Sequence, residues 1–215
     1  MISAKKRAEE AVRLLEERYP QSECALEYEG EAWKLLVMGR LSAQCTDARV
    51  NIVCKELFGE YPTAKALAEA PLSEIERIVR PCGLYKTKAQ NIKDSMLMLV
   101  NTYEGVLPDE MDVLLTFPGV GRKIANLLLG DIYHKGGIVA DTHCIRICGR
   151  LGFYPESQKD PIKTERIMEK LIPRDKQSDF CHRIVWFGRE VCTARSPQCD
   201  TCPLGEICKH NNKKS

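Results

Sequence analysis

The sequence predicts an all-α fold. Apolar residues recur at helical spacing through most of the 215 residues, and Ser, Thr and Asp residues stand where helix caps belong. No stretch alternates apolar and polar residues with the period of two that a half-buried strand requires.

Residues 4–18 place Ala8, Ala11, Val12, Leu14 and Leu15 on one face among Lys, Arg and Glu, an amphipathic surface helix ended near Pro20. Residues 31–43 read as a buried helix, and the polar run Ser42 to Asp47 breaks it. Thr46 or Asp47 then caps a helix with Val50, Val53, Cys54 and Leu57 on one face. Two short helices are expected at about 63–69 and 73–80, led by Thr63 and Ser73, before a turn at Pro81-Cys82-Gly83. A longer helix runs to about Tyr103, and Pro108 and Asp109 open another that ends at Phe117 ahead of Pro118. The next helix spans Gly121 to about Gly130, Asp141 caps one that continues through Leu151, and two more are expected at about 160–171 and 176–191.

Composition sets bounds but names no function. With 44% hydrophobic and 29% charged residues, the chain has the make-up of a globular protein of one large or two modest domains. A formal net charge of +2 is too weak to argue nucleic-acid binding, so any basic face must be local. Charges run throughout the first twenty residues, which excludes a signal peptide or a transmembrane span there; a cytoplasmic protein, nucleoid-associated if bacterial, is expected. Eleven cysteines, an odd number without an export signal, point to metal chemistry rather than disulfides.

Two stretches carry chemistry. In Phe117 to Lys123, FPGVGRK, a Pro-Gly-x-Gly turn lets two short helices approach closely, because glycine accepts dihedrals and contacts that a Cβ forbids. The first N–H groups of the second helix point outward at the positive end of its dipole and form an anion site suited to phosphate. Arg122 and Lys123 stand in that first turn, where cations do not favour the helix itself. The second stretch is Cys192, Cys199, Cys202 and Cys208, spaced C-x6-C-x2-C-x5-C. Thiolate-only ligation suits zinc or an iron–sulfur cluster, and the single close pair favours a [4Fe–4S] cluster over a zinc ribbon. Arg195 lies inside that loop and Lys209, Lys213 and Lys214 follow, which would make it a phosphate-contacting knob. Cys144 and Cys148, one helical turn apart, read as buried free cysteines rather than a second metal site.

Taken in order, LSAQCTD at 41–47, GLYKTKAQNI at 83–92, FPGVGRKIAN at 117–126, VADTH at 139–143 and the four cysteines resemble the endonuclease III family of helix-hairpin-helix DNA glycosylases. The resemblance implies a two-domain helix-hairpin-helix glycosylase fold with an iron–sulfur cluster loop. A helical barrel domain would span 24–134 and carry the hairpin, and a cluster domain would join 1–23 with 135–215, with DNA bound across the cleft between them. It implies a bifunctional glycosylase and abasic-site lyase, a monomer free of membrane, acting on double-stranded DNA that contains a damaged base or an abasic site.

By the same resemblance Lys123 is the nucleophile and Asp141 its catalytic partner, while Gln44 and Leu84 enter the duplex to replace an extruded nucleotide. Gly119, Val120, Gly121 and Arg122 hold the strand. Read on its own, His143 either orients Asp141 or contacts phosphate, or is a satisfied structural histidine. The chemistry is coherent: cleaving an N-glycosidic bond passes charge to the anomeric carbon, where a neutral amine attacks and a carboxylate stabilises the oxocarbenium-like centre. The resulting Schiff base acidifies the adjacent carbon and permits β-elimination.

Three residues depart from the family pattern. Leu115 stands where relatives often have a glutamate facing the damaged-base pocket, Ile124 replaces a threonine after the lysine, and Cys45 replaces an alanine. They leave the sugar chemistry intact but leave the preferred base open, with oxidised pyrimidines the expected class. Two alternatives remain at this point: a monofunctional mismatch glycosylase, and a non-catalytic iron–sulfur protein that binds DNA.

Overall fold

The computed structural model describes residues 2–21 and 23–213; Lys214, the last of the basic residues noted after the cysteine loop, lies outside them. The described residues form helices and turns without a β-strand. The chain divides into two compact units, one from Cys24–Tyr133 and one from Met1–Glu23 together with His134–Ser215.

The first helix of the Cys24–Tyr133 unit, α2 (Ala32–Leu41), buries Trp33, Leu35, Leu36, Val37, Met38 and Leu41, too many positions for one stripe, so it forms the centre of this unit. Thr46 caps α3 (Asp47–Glu60) by accepting from Arg49 N–H, and Thr63 caps α4 (Ala64–Glu69) by accepting from Ala66 N–H. Ser73 does not cap α5 (Leu72–Val79): the helix starts one residue earlier, where Pro71 has a preset φ of −59° and its carbonyl accepts from Glu74 and Ile75 N–H. A 3₁₀ turn, Arg80–Cys82, leads into α6 (Tyr85–Tyr103), against which α4 and α5 pack. The helix expected from Pro108 to Phe117 shortens to α7 (Met111–Leu114), because Thr116 and Phe117 N–H bond three residues back and tighten the end into 3₁₀ geometry. The last helix here is α8 (Arg122–Asp131), which packs on α2.

The other unit consists of α1 (Ala4–Arg18), α9 (Thr142–Leu151), α10 (Pro161–Leu171), α11 (Gln177–Glu190) and the cysteine loop. Its core joins Ala8, Ala11 and Leu15 of α1 to Ile147, Cys148, Met168, Phe180, Ile184 and Phe187, with Leu204 and Ile207 of the loop inserted among them. Arg7, buried on α1, donates to Ile207 O at 2.8 Å and Gly152 O at 3.2 Å, so the start of the chain is tied directly to its C-terminal loop. Cys144, Cys148 and Cys181 are buried, the Cys181 thiol donating to Cys144 and the Cys144 thiol to Cys148; donating its proton to Cys148, together with burial, holds Cys144 well above the usual thiol range, and donating to Cys144, together with burial, does the same for Cys181. They are core groups, and no metal-sized cluster among the described residues includes them.

Candidate nucleic-acid and catalytic site

The hairpin turn is held from beneath. Phe117 is buried and stacks on Tyr103 with ring centroids 5.4 Å apart, and Ser95 Oγ donates to Pro118 O at 2.9 Å. Gly119 has φ +77°, and a Cβ there would lie 2.5 Å from Arg40 Nε and 2.7 Å from Asn91 Oδ1. Arg40 Nε donates to that same Asn91 oxygen at 3.0 Å, so glycine is required both for its backbone conformation and for its approach to this pair. Val120 is buried and its N–H donates to Phe117 O, which closes the turn from inside. Gly121 caps α8 with an extended backbone and no side-chain cap bond, leaving the helix start to an outside acceptor. Lys123 is exposed on this first turn, while Ile124, Leu127 and Leu128 face the core.

Gln44 and Leu84 share an unusual backbone. Both are left-handed, with φ of 55° and 49°, and both are exposed, Leu84 to 60%. Such a conformation costs a non-glycine residue on the order of 1–3 kcal/mol and persists only where surroundings over-determine it. Between the two turns lies Lys88 of α6, 0% exposed, whose ammonium donates to Leu41 O at 2.8 Å, Ala43 O at 2.7 Å and Cys82 O at 2.8 Å. Burial lowers its pKa, opposed by the nearby Cys82 and Cys45 thiols. Those two thiols also hydrogen-bond each other, and burial, with Cys45 beside it, pushes Cys82 up to about 12.

In the other unit, Asp141 caps α9, its Oδ1 accepting from Cys144 N–H at 2.7 Å. His143 is half-buried, its Nδ1 3.2 Å from Arg146 Nη2 and so close to Gly188 that a Cβ there would meet it at 2.4 Å. One turn further along α9, Arg146 donates to Cys192 O at 3.0 Å. Arg150 donates to Thr193 O at 2.8 Å, Ala194 O at 2.9 Å and Cys192 Sγ at 3.3 Å. The helix that Asp141 begins therefore grips the cysteine loop at its far end.

Cys192, Cys199, Cys202 and Cys208 line one pocket with Arg150 and His210. Four thiols around one pocket whose lining includes no carboxylate are the all-sulfur donor set that an iron–sulfur cluster takes. Burial pushes Cys202 up to about 11 and also raises Cys208, a cost that ligation by iron offsets when the thiolates form. Arg195 is exposed on the loop.

Residues 37–174 match the model of the helix-hairpin-helix superfamily of base excision DNA repair proteins, and residues 192–208 match the iron–sulfur binding domain of endonuclease III. An endonuclease III of Synechocystis sp. is 42% identical over 209 residues, covering 97% of this chain and 94% of the relative. The chain belongs to the endonuclease III family. Two solved endonuclease III structures, a non-covalent DNA complex and a trapped covalent DNA intermediate with an estranged adenine, each share 37% identity and a TM-score of 0.91, covering 100% of this chain and 99% of theirs. This member of the family is a DNA glycosylase with abasic-site lyase activity, binds DNA and uses a [4Fe–4S] cluster. No described helix is long and apolar enough to cross a membrane.

Sequence reasoning missed several residues that brace the turns at Gln44, Leu84 and Gly119 in one unit and the cysteine loop in the other. Lys88 shares a helix face with Ile92, Ser95, Met96 and Leu99, all buried, and a lysine on such a stripe was its signal. Arg40, near the end of the largely apolar α2, carried a similar one. Asn91 and Arg150 carried none, because their partners are distant in sequence.

Proposed function

We propose that this chain excises damaged pyrimidines, oxidised ones foremost, from duplex DNA, with Lys123 as nucleophile and Asp141 as its partner. The observation that carries this is the placement of Lys123, exposed on the first turn of α8 directly behind a glycine hairpin whose helix start has no side-chain cap. Gly119 and Gly121 present backbone to the strand, Val120 anchors the turn, and Arg122 and His143 contact phosphate. Gln44 offers an amide to the orphaned base and Leu84 an apolar wedge as the nucleotide is extruded.

The neutral Lys123 amine forms a bond to C1′ as the N-glycosidic bond breaks and the base departs with a proton. Asp141 Oδ1 is fixed by its cap bond, which leaves the second carboxylate oxygen to stabilise positive charge at the sugar. The C1′–O4′ bond then breaks, O4′ taking a proton as the nitrogen lone pair forms the imine of the ring-opened sugar; the imine acidifies C2′, loss of a proton from there to water expels the 3′ phosphate oxygen, and water then releases Lys123. The Cys24–Tyr133 unit serves as the barrel domain, the other unit as the cluster domain, and the protein acts as a cytoplasmic monomer. Cys192, Cys199, Cys202 and Cys208 hold the cluster, which when bound cross-links the loop and fixes Arg195 for phosphate contact.

The test compares lesion excision and strand nicking by the unmutated protein and by Lys123→Gln on duplexes with thymine glycol or an abasic site. The variant is expected to lose at least about 1,000-fold in nicking rate while still binding the abasic duplex. A variant that nicks at the unmutated rate overturns the assignment.

A further inference from the structure

We propose that Lys88 is a positioning residue for nucleotide extrusion: its buried ammonium locks the turn bearing Gln44 and the turn bearing Leu84 into one pair that enters the duplex together. The inference rests on the reading of Gln44 and Leu84 as the residues that fill the gap. The three acceptors of Lys88 come from chain segments about forty residues apart: Leu41 ends α2, Ala43 directly precedes Gln44, and Cys82 ends the 3₁₀ turn just before Gly83 and Leu84. An ammonium offers three donors at one point and no acceptor, which matches three converging carbonyls better than any neutral side chain. Two of the carbonyls close helical segments, where partial negative charge accumulates. The backbone N–H of Lys88 also donates to Leu84 O at 3.0 Å, so Leu84 is held from both directions.

This arrangement explains how two exposed, non-glycine residues keep left-handed backbones. Without the ammonium each turn relaxes by itself, and Gln44 and Leu84 must find their poses during extrusion. The loss falls on substrates whose nucleotide must be drawn from a stack.

The test measures kcat/KM for nicking an abasic site in duplex and in single-stranded DNA, with melting of each variant followed in parallel. Lys88→Met is expected to lose tenfold or more on duplex, to stay within twofold on single strands, and to cost less than a further twofold in a Leu84→Ala background. An equal fall on both substrates, or a full tenfold loss added to that of Leu84→Ala, overturns the proposal. If Lys88→Met does not fold, Lys88→Arg keeps the charge but spreads its donors over a plane; a duplex-selective loss supports the proposal, and an unmutated duplex-to-single-strand ratio overturns it. Gln44→Ala and Leu84→Ala alone report on gap filling. If both retain duplex activity, that reading fails and this one with it; if they lose activity and Lys88→Met does not, only the role of Lys88 fails.

Discussion

At the scale of single residues, Gly119 and Asp141 separate structure from chemistry. Gly119→Ala places a side chain in a left-handed backbone and against Arg40 and Asn91. It is expected to cost about 2 kcal/mol of stability, read by thermal unfolding, and to weaken binding of abasic duplex at least tenfold. Asp141 caps α9 and, on the proposed mechanism, also stabilises charge at the sugar; substitution divides the two, since asparagine caps a helix as well as aspartate does but carries no charge. Asp141→Asn is expected to melt as the unmutated protein does and to lose turnover about 100-fold. Asp141→Ala is expected to lose a similar turnover and also about 1 kcal/mol of stability. An Asp141→Asn protein with full activity would reduce Asp141 to a cap.

At the scale of elements, α9 connects the two ends of its unit, with Asp141 at its start and Arg150 on the cysteine loop. Arg150→Ala removes the donors to Cys192 Sγ, Thr193 O and Ala194 O, and is expected to shorten cluster lifetime several-fold under an iron chelator, followed by absorbance near 400 nm. An unchanged lifetime would show that the loop needs no such support. Helices with strong apolar periodicity, α1 and α9 among them, and the continuous apolar run of α2 were legible in the sequence because their cores are encoded within one or two turns. The length of α7 was not, since its last N–H groups choose between bonding three or four residues back. The hairpin, the cap at Asp141 and the cysteine spacing were legible because each is a local pattern. Lys88 and the left-handed Gln44 and Leu84 were not, because the carbonyls that define them converge from distant segments.

At the scale of the whole molecule, charge is nearly balanced at +2, and on the proposed reading the hairpin would meet phosphate with neutral backbone groups. Few counterions should be released on binding. Affinity for abasic duplex is therefore expected to fall by less than about 1,000-fold between 50 and 200 mM salt, below what six or more neutralised phosphates would give. A steeper slope would reveal a larger basic face than Arg122, Arg195 and their neighbours supply. The central claim is that Lys123 forms the covalent bond to the sugar, and the most direct measurement is peptide mapping of the borohydride-reduced adduct with abasic duplex by mass spectrometry. The account predicts that the sugar remnant is found on Lys123; a remnant on any other amine, or no adduct at all, would contradict it.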